Sequence, residues 1–190
     1  MARSVVLMSG LIGVGLAIPI VGSFVPSGNL GKGSWAPLDA AEWQTLQTTT
    51  TKPVKISFLL KSKDAYLPEQ VSHEYVWGIK VAPAKFQAVR PDLFVKGGPA
   101  SVGYPPINLG FVLFSPICPH LGCRYNWDGP SNKFLCPCHG SVYTLLGEHI
   151  AGPAPRGLDP LPLKEQNGTA EVTWIHYETM TPDRIIISYQ

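Results

Sequence analysis

The longest apolar stretch of the chain lies near its start, where no residue from Val5 to Val25 carries a charge. At the rise of an α-helix this block extends about 31 Å, close to the thickness of a bilayer core, so it predicts a membrane-spanning helix within an anchor over residues 1–26. A cleaved leader and a buried core helix are the competing readings. The block exceeds the usual apolar region of a leader, and no small-x-small cleavage pattern stands out near its end. Pro19 and the glycines at 10, 13, 15 and 22 suit a membrane helix, where small residues also let a second helix approach.

The pattern then changes twice. Residues 27–34, Ser-Gly-Asn-Leu-Gly-Lys-Gly-Ser, are too polar and glycine-rich to form a core and predict a flexible hinge. Beyond Trp35 come short runs rich in Val, Ile, Phe and Tyr: Lys55 to Leu60, Tyr75 to Val81, Phe86 to Val89, Phe111 to Phe114, Glu171 to Tyr177 and Arg184 to Ser188. Pro, Gly and Asp separate them, which predicts strands. One short helix is expected at Leu38 to Gln47, with Asp39 as its N-cap. The fold class that follows is mainly β: an antiparallel head over 35–190 behind a transmembrane helix and a hinge.

Composition sharpens this only a little. Nineteen prolines and nineteen glycines fit a loop-rich head, and 15% charged residues is low for a soluble chain. The formal net charge of +2 comes with no basic cluster, so no nucleic-acid partner is expected; no glycine-rich phosphate loop or Ser-His-Asp arrangement suggests another chemistry.

The candidate chemistry sits in two boxes, Cys118-Pro119-His120-Leu121-Gly122-Cys123 and Cys136-Pro137-Cys138-His139-Gly140-Ser141. They hold all four cysteines and two of the five histidines, with fifteen residues between His120 and Cys136. Thiolate and imidazole are ligands for iron or zinc, and Cys-x-His facing Cys-x-x-His can supply four. Cys123 and Cys138 remain, one in each box, where they could tie the two loops together. His73, His149 and His176 have no ligand-spaced companions and read as ordinary strand or surface residues.

These boxes resemble those of the Rieske iron-sulfur proteins. The resemblance implies a 2Fe-2S cluster with one iron on Cys118 and Cys136 and the other on His120 and His139, an arrangement that raises the potential above that of all-cysteine clusters. It implies a disulfide between Cys123 and Cys138, as in the Rieske subunits of cytochrome bc-type complexes and generally absent from soluble Rieske ferredoxins and oxygenases. It also implies that Ser141 and Tyr143 donate hydrogen bonds to a bridging sulfide and to a ligand sulfur, that Gly152-Pro153-Ala154-Pro155 covers the cluster, and that Leu121 lies at an apolar tip beside the histidines. The cluster-binding subdomain would occupy about residues 110–157. Pro119 departs from the threonine of many relatives. A Cys2His2 zinc could use the same four ligands, but it explains neither the spare cysteines nor Ser141, Tyr143 and the proline loop.

On this resemblance the chain is expected to be the redox subunit of a bacterial quinol:cytochrome c oxidoreductase, active only within the complex. It would take one electron from quinol, with His120 or His139 accepting the quinol hydrogen bond and proton, and pass it to a c-type cytochrome. The implied partners are a cytochrome b-type membrane subunit, the c-type cytochrome, quinol and the lipid bilayer, in a dimeric multisubunit complex. A disulfide requires an oxidising compartment, which places the head on the periplasmic or extracellular side of the cell membrane and the N-terminus in the cytoplasm. The alternative is the Rieske small subunit of a periplasmic molybdenum oxidase of the arsenite oxidase type, against which a retained anchor and hinge speak. A Rieske oxygenase would need a second iron site, and no other His pair with a carboxylate offers one.

Overall fold

The structure, a computed structural model, describes residues 33–62, 68–95 and 102–190. The expected anchor and most of the hinge lie outside the described residues. Among the described residues no helix is long and apolar enough to cross a membrane.

The head is antiparallel β, as its apolar runs predict. Strands β1 (Trp35–Pro37), β10 (Leu163–Gln166) and β11 (Thr169–Thr173) form one sheet, in the order β1-β11-β10. A second sheet has the order β2-β3-β4-β9, from β2 (Val54–Ser62), β3 (Gln70–Lys80), β4 (Phe111–Phe114) and β9 (Pro160–Leu161). In β2 the alternation is plain: Ile56, Phe58 and Leu60 point into the core, and Lys55, Ser57, Leu59 and Lys61 point out.

Helix α1 (Ala40–Thr48) begins where Asp39 predicts, because the Asp39 carboxylate accepts hydrogen bonds from the free N–H groups of Ala41 and Glu42. Its buried Trp43 and Leu46 lie on the sheets, with the Trp43 and Phe111 rings 4.9 Å apart. Gly78 makes room for it. A β-carbon there would come within 2.7 Å of the Leu46 side chain.

Three strand expectations are corrected. Phe86 to Val89 belongs to a helix, α2 (Pro83–Val89), since Pro83 opens it with a preset φ and Ala84, Lys85, Gln87 and Ala88 favour helix over strand. Glu171 to Tyr177 is two strands: β11 ends at Thr173, buried Trp174 intervenes, and β12 (Ile175–Tyr177) pairs instead with β13 (Ile186–Tyr189). The last strand starts two residues later than Arg184, whose buried side chain is held by carboxylates.

Strands β5 (Asn126–Asp128), β6 (Lys133–Leu135), β7 (Val142–Tyr143) and β8 (His149–Ala151) form a further sheet whose order follows the chain. Strand β4 joins two cores. Its Phe111 and Leu113 pack with Leu46, Ile56, Phe58 and Val172, whereas Val112 and Phe114 pack with Phe86, Tyr125, Phe134, Tyr143 and the buried Cys118 and Cys136. A strand apolar on both faces thus leads into the first box.

Candidate metal centre

The two boxes fold into the same turn. In the first, the Cys118 N–H donates to the Cys123 carbonyl at 2.8 Å and the Gly122 N–H to the Cys118 carbonyl at 3.0 Å. In the second, the Cys136 N–H donates to the Ser141 carbonyl at 2.9 Å and the Gly140 N–H to the Cys136 carbonyl at 3.1 Å. Each turn has proline second and glycine fifth, with φ of +78° at Gly122 and +73° at Gly140. A β-carbon at either glycine would meet nothing within 4 Å, so left-handed backbone, rather than space, calls for glycine there.

A disulfide between Cys123 and Cys138 ties the turns to each other. Cys118 and Cys136 remain as free, buried thiols. The His120 and His139 rings stand edge to face with centroids 4.7 Å apart. His139 is exposed and His120 half-buried, so the sulfurs lie inward and the imidazoles outward. Among the described residues no three His, Cys, Asp or Glu side chains gather as a single-ion site. The donor set is a pair of thiols and a pair of imidazoles, a set that suits a two-iron cluster with one iron on the sulfurs and the other on the imidazoles. The donors also have capacity to spare, because the buried His120 Nδ1 has no hydrogen-bond partner.

Around this set lie the other residues singled out by sequence. The Tyr143 hydroxyl is 3.1 Å from Cys118 Sγ. Burial pushes the Cys118 thiol up, with the Tyr143 hydrogen bond opposing it; burial, then the neighbouring Cys118, pushes the Tyr143 phenol up, so it stays a donor. Ser141 is buried, and its Oγ accepts from the Ala154 N–H at 3.2 Å, tying the second box to the proline loop. Gly152, at φ +90°, lies against that box so closely that a β-carbon would be 2.5 Å from Ser141 Cα and 2.6 Å from the Gly140 carbonyl oxygen. Pro153 is exposed, Pro155 half-buried, and Leu121 is 54% exposed. Of the remaining histidines, His73 is exposed on β3 and His176 Nε2 accepts from the Trp174 indole, whereas half-buried His149 on β8 sets its ring 5.6 Å from that of Tyr143.

Three contributors carry no sequence signal of their own. The buried Tyr125 donates its hydroxyl to the Ser115 carbonyl at 2.6 Å and packs its ring against Tyr143. The Met180 N–H donates to the Pro119 carbonyl at 3.0 Å, so the loop between β12 and β13 supports the first box. Arg90 lies buried beneath the loops. Only the repeated Cys-Pro-x-x-Gly spacing of the boxes could have announced their matching turns.

The disulfide closes a separation of 15 residues. Replacing both Cys123 and Cys138 by alanine is therefore expected to cost about 3 kcal/mol, a fall of roughly 6–12 °C in Tm. Calorimetry of the variant and the parent under non-reducing conditions checks it.

The family described as the Rieske [2Fe-2S] domain matches residues 98–162. The chain is 32% identical over 152 residues to the cytochrome b6-f complex iron-sulfur subunit of Synechococcus sp. (strain JA-3-3Ab), covering 79% of this chain and 70% of that one. It is 36% identical over 95 residues to the subunit of the same name from Parasynechococcus marenigrum (strain WH8102), a match that covers 50% of this chain and spans about half, 49%, of that relative. Among solved structures, the soluble domain of Rieske protein II from Sulfolobus acidocaldarius is similar at a TM-score of 0.43 and 17% identity, over 77% of this chain and 80% of that one.

Proposed function

The chain belongs to the Rieske iron-sulfur subunits of cytochrome b6-f/bc-type complexes, and from that premise we propose that it carries single electrons from a membrane quinol to a c-type cytochrome. The observation that carries the proposal is the pair of matching turns that hold two thiols inward and two imidazoles outward. Cys118 and Cys136 would hold one iron of a 2Fe-2S cluster, and His120 and His139 the other. Bound there, the cluster supplies reversible one-electron exchange.

The chain's own groups supply the rest. His139, the more exposed imidazole, accepts the hydrogen bond of the quinol hydroxyl and then its proton as the electron leaves the quinol. His120, half-buried, fixes the edge-to-face arrangement of the pair. Leu121 and Pro153, both exposed, would flank the tip and limit the approach of water. Tyr143 donates to Cys118 Sγ, which favours the more negative, reduced state, and the Ser141 hydroxyl, whose oxygen accepts from the Ala154 N–H, would add a second donor. The apolar block of residues 5–25 anchors the subunit in the bacterial cell membrane, and residues 27–34 let the head move between the cytochrome b-type subunit and the cytochrome. The Cys123–Cys138 tie belongs to an oxidising, non-cytoplasmic side of that membrane.

An electron paramagnetic resonance redox titration of the membrane fraction tests the reading. A rhombic reduced signal with average g near about 1.9, at a potential above that of thiolate-only clusters, is expected. A silent, zinc-containing protein would sink it. Tyr143→Phe is expected to keep the signal and lower its potential by roughly 20–60 mV, at about 40 mV per kcal/mol for one hydrogen bond of ordinary net strength. An unchanged potential would reduce Tyr143 to packing.

A further inference from the structure

Arg90 is 2% exposed, and every one of its guanidinium donors is engaged. Nε and Nη2 donate to the two Asp92 carboxylate oxygens at 3.0 Å each. Nη1 donates to the Gly147 carbonyl at 2.8 Å and the Leu146 carbonyl at 3.4 Å, and Nη2 also reaches the Leu158 carbonyl at 3.2 Å. One planar group thus grips both the turn between β7 and β8 and the exit of the proline loop. Helix α2 delivers it, since Arg90 is the residue on which that helix ends and the 3₁₀ turn Pro91–Leu93 begins.

The fit is built from both sides. A β-carbon at Gly147 would lie 2.9 Å from Arg90 Nη1, and one at Gly157 would lie 3.0 Å from Cζ, so two glycines make the slot in which the guanidinium sits. The Gly147 carbonyl also accepts the Leu158 N–H at 2.8 Å, which locks the two loops directly. From Asp92 the chain of charges continues. Arg184 Nη1 donates to Asp92, its Nε donates to Asp159 and its Nη2 to the Gly157 carbonyl. Arg156 makes a two-pronged pair with Asp159 and donates to the Glu178 and Thr181 carbonyls. Those carbonyls bracket Met180, whose N–H supports Pro119 of the first box.

We propose that Arg90 is a positioning residue for the candidate cluster site, the centre of a buried clamp that holds the proline loop and the turn after β7 against the two boxes. The proline loop is pinned at its start by Gly152 and Ser141 and at its exit by Arg90 and Arg184. Loosening the exit lets the loop lift from the sulfur side. Lysine at 90 keeps the charge but has no fork, so it cannot hold a carboxylate and three carbonyls together.

The test compares Arg90→Lys with Val172→Ala, a core variant in the other cluster of apolar residues, in the full-length protein. Amide hydrogen exchange of residues 144–158 is expected to rise at least tenfold in Arg90→Lys and to stay near the parent rate in Val172→Ala. The reduced-centre g-values and potential shift only in Arg90→Lys. If Arg90→Lys fails to fold, Asp92→Asn, which removes one partner of the fork, replaces it and is expected to give the same local pattern. Exchange and spectrum no different from those of Val172→Ala would overturn the proposal and leave Arg90 as core packing. The spectroscopic arm rests on the cluster reading and the exchange arm does not. A parent protein without the Rieske signal would therefore defeat that reading while the exchange still decides the clamp.

Discussion

Cys118→Ser is expected to abolish the rhombic signal of the reduced centre and leave a folded, colourless protein. Cys118 is fully buried at the root of the first turn, next to Tyr143 and among the apolar side chains around Phe114 and Tyr125. A serine hydroxyl there lacks the soft thiolate that iron prefers and gives up its proton far less readily than a thiol, so the sulfur pair is broken. The fold should survive, because the site is already polar enough to satisfy a hydroxyl through Tyr143. The size of the loss is what makes the substitution decisive. If Cys118 were only a core residue, the variant would lose about 1–3 kcal/mol of stability and none of the signal. A normal signal in Cys118→Ser would remove this residue from the ligand set, and with it the pairing on which the proposed function rests.

Gly152→Ala should be nearly as severe by a different route. Two costs fall on the same atom: a left-handed backbone that disfavours any β-carbon by ~1–2 kcal/mol, and a collision with backbone rather than with a side chain that could turn away. The second adds ~1–3 kcal/mol, because the Ser141 and Gly140 main chain can yield only by distorting the box itself. The expected outcome is a loss of about 3 kcal/mol in stability, together with a labile centre, since the proline loop must move off Ser141. Gly140→Ala provides the contrast. It shares the positive φ but faces open space, so only the backbone cost applies. Thermal unfolding and signal retention in the two variants, measured side by side, check the argument; equal effects would show that φ alone matters and that the close approach of the proline loop does not.

The candidate site was far more legible than its support. Cys, His and Gly at fixed spacing are rare enough that Cys118, His120, Cys136 and His139 stand out in any reading of the chain. Strand β4 was found to the residue, because Phe111–Phe114 is apolar on both faces and bounded by Gly110 and Ser115. Helix α2 was misread, since Phe86 and Val89 suggest a strand and the weight of Pro83 at the first helical position was not given to it. Strands β5 to β8 have two or three residues each, too few for a period of two to show. Arg90, Arg156 and Arg184 were invisible for a physical reason. Arginine is ordinarily a surface residue; Arg90 and Arg156 do pair with the nearby Asp92 and Asp159, but the partners that complete the burial lie far away in sequence, as Leu158 does for Arg90 and Asp92 for Arg184.

The chain enters the described fold at Gly33, which is wedged against Thr173 and Tyr189, and passes at once into β1, paired along its length with β11. On the proposed anchoring, β1 is where a pull on the head would be applied. Force on β1 runs into the sheet β1-β11-β10, and among the described residues no strand pairing joins that sheet to β5-β6-β7-β8, which carries the second ligand turn. A tug on that strand is therefore met first by the hydrogen bonds of its own sheet, and reaches the ligand turns only through side-chain packing and supports such as the Met180–Pro119 hydrogen bond. In mechanical terms the turns are cargo, carried by a frame that takes the load.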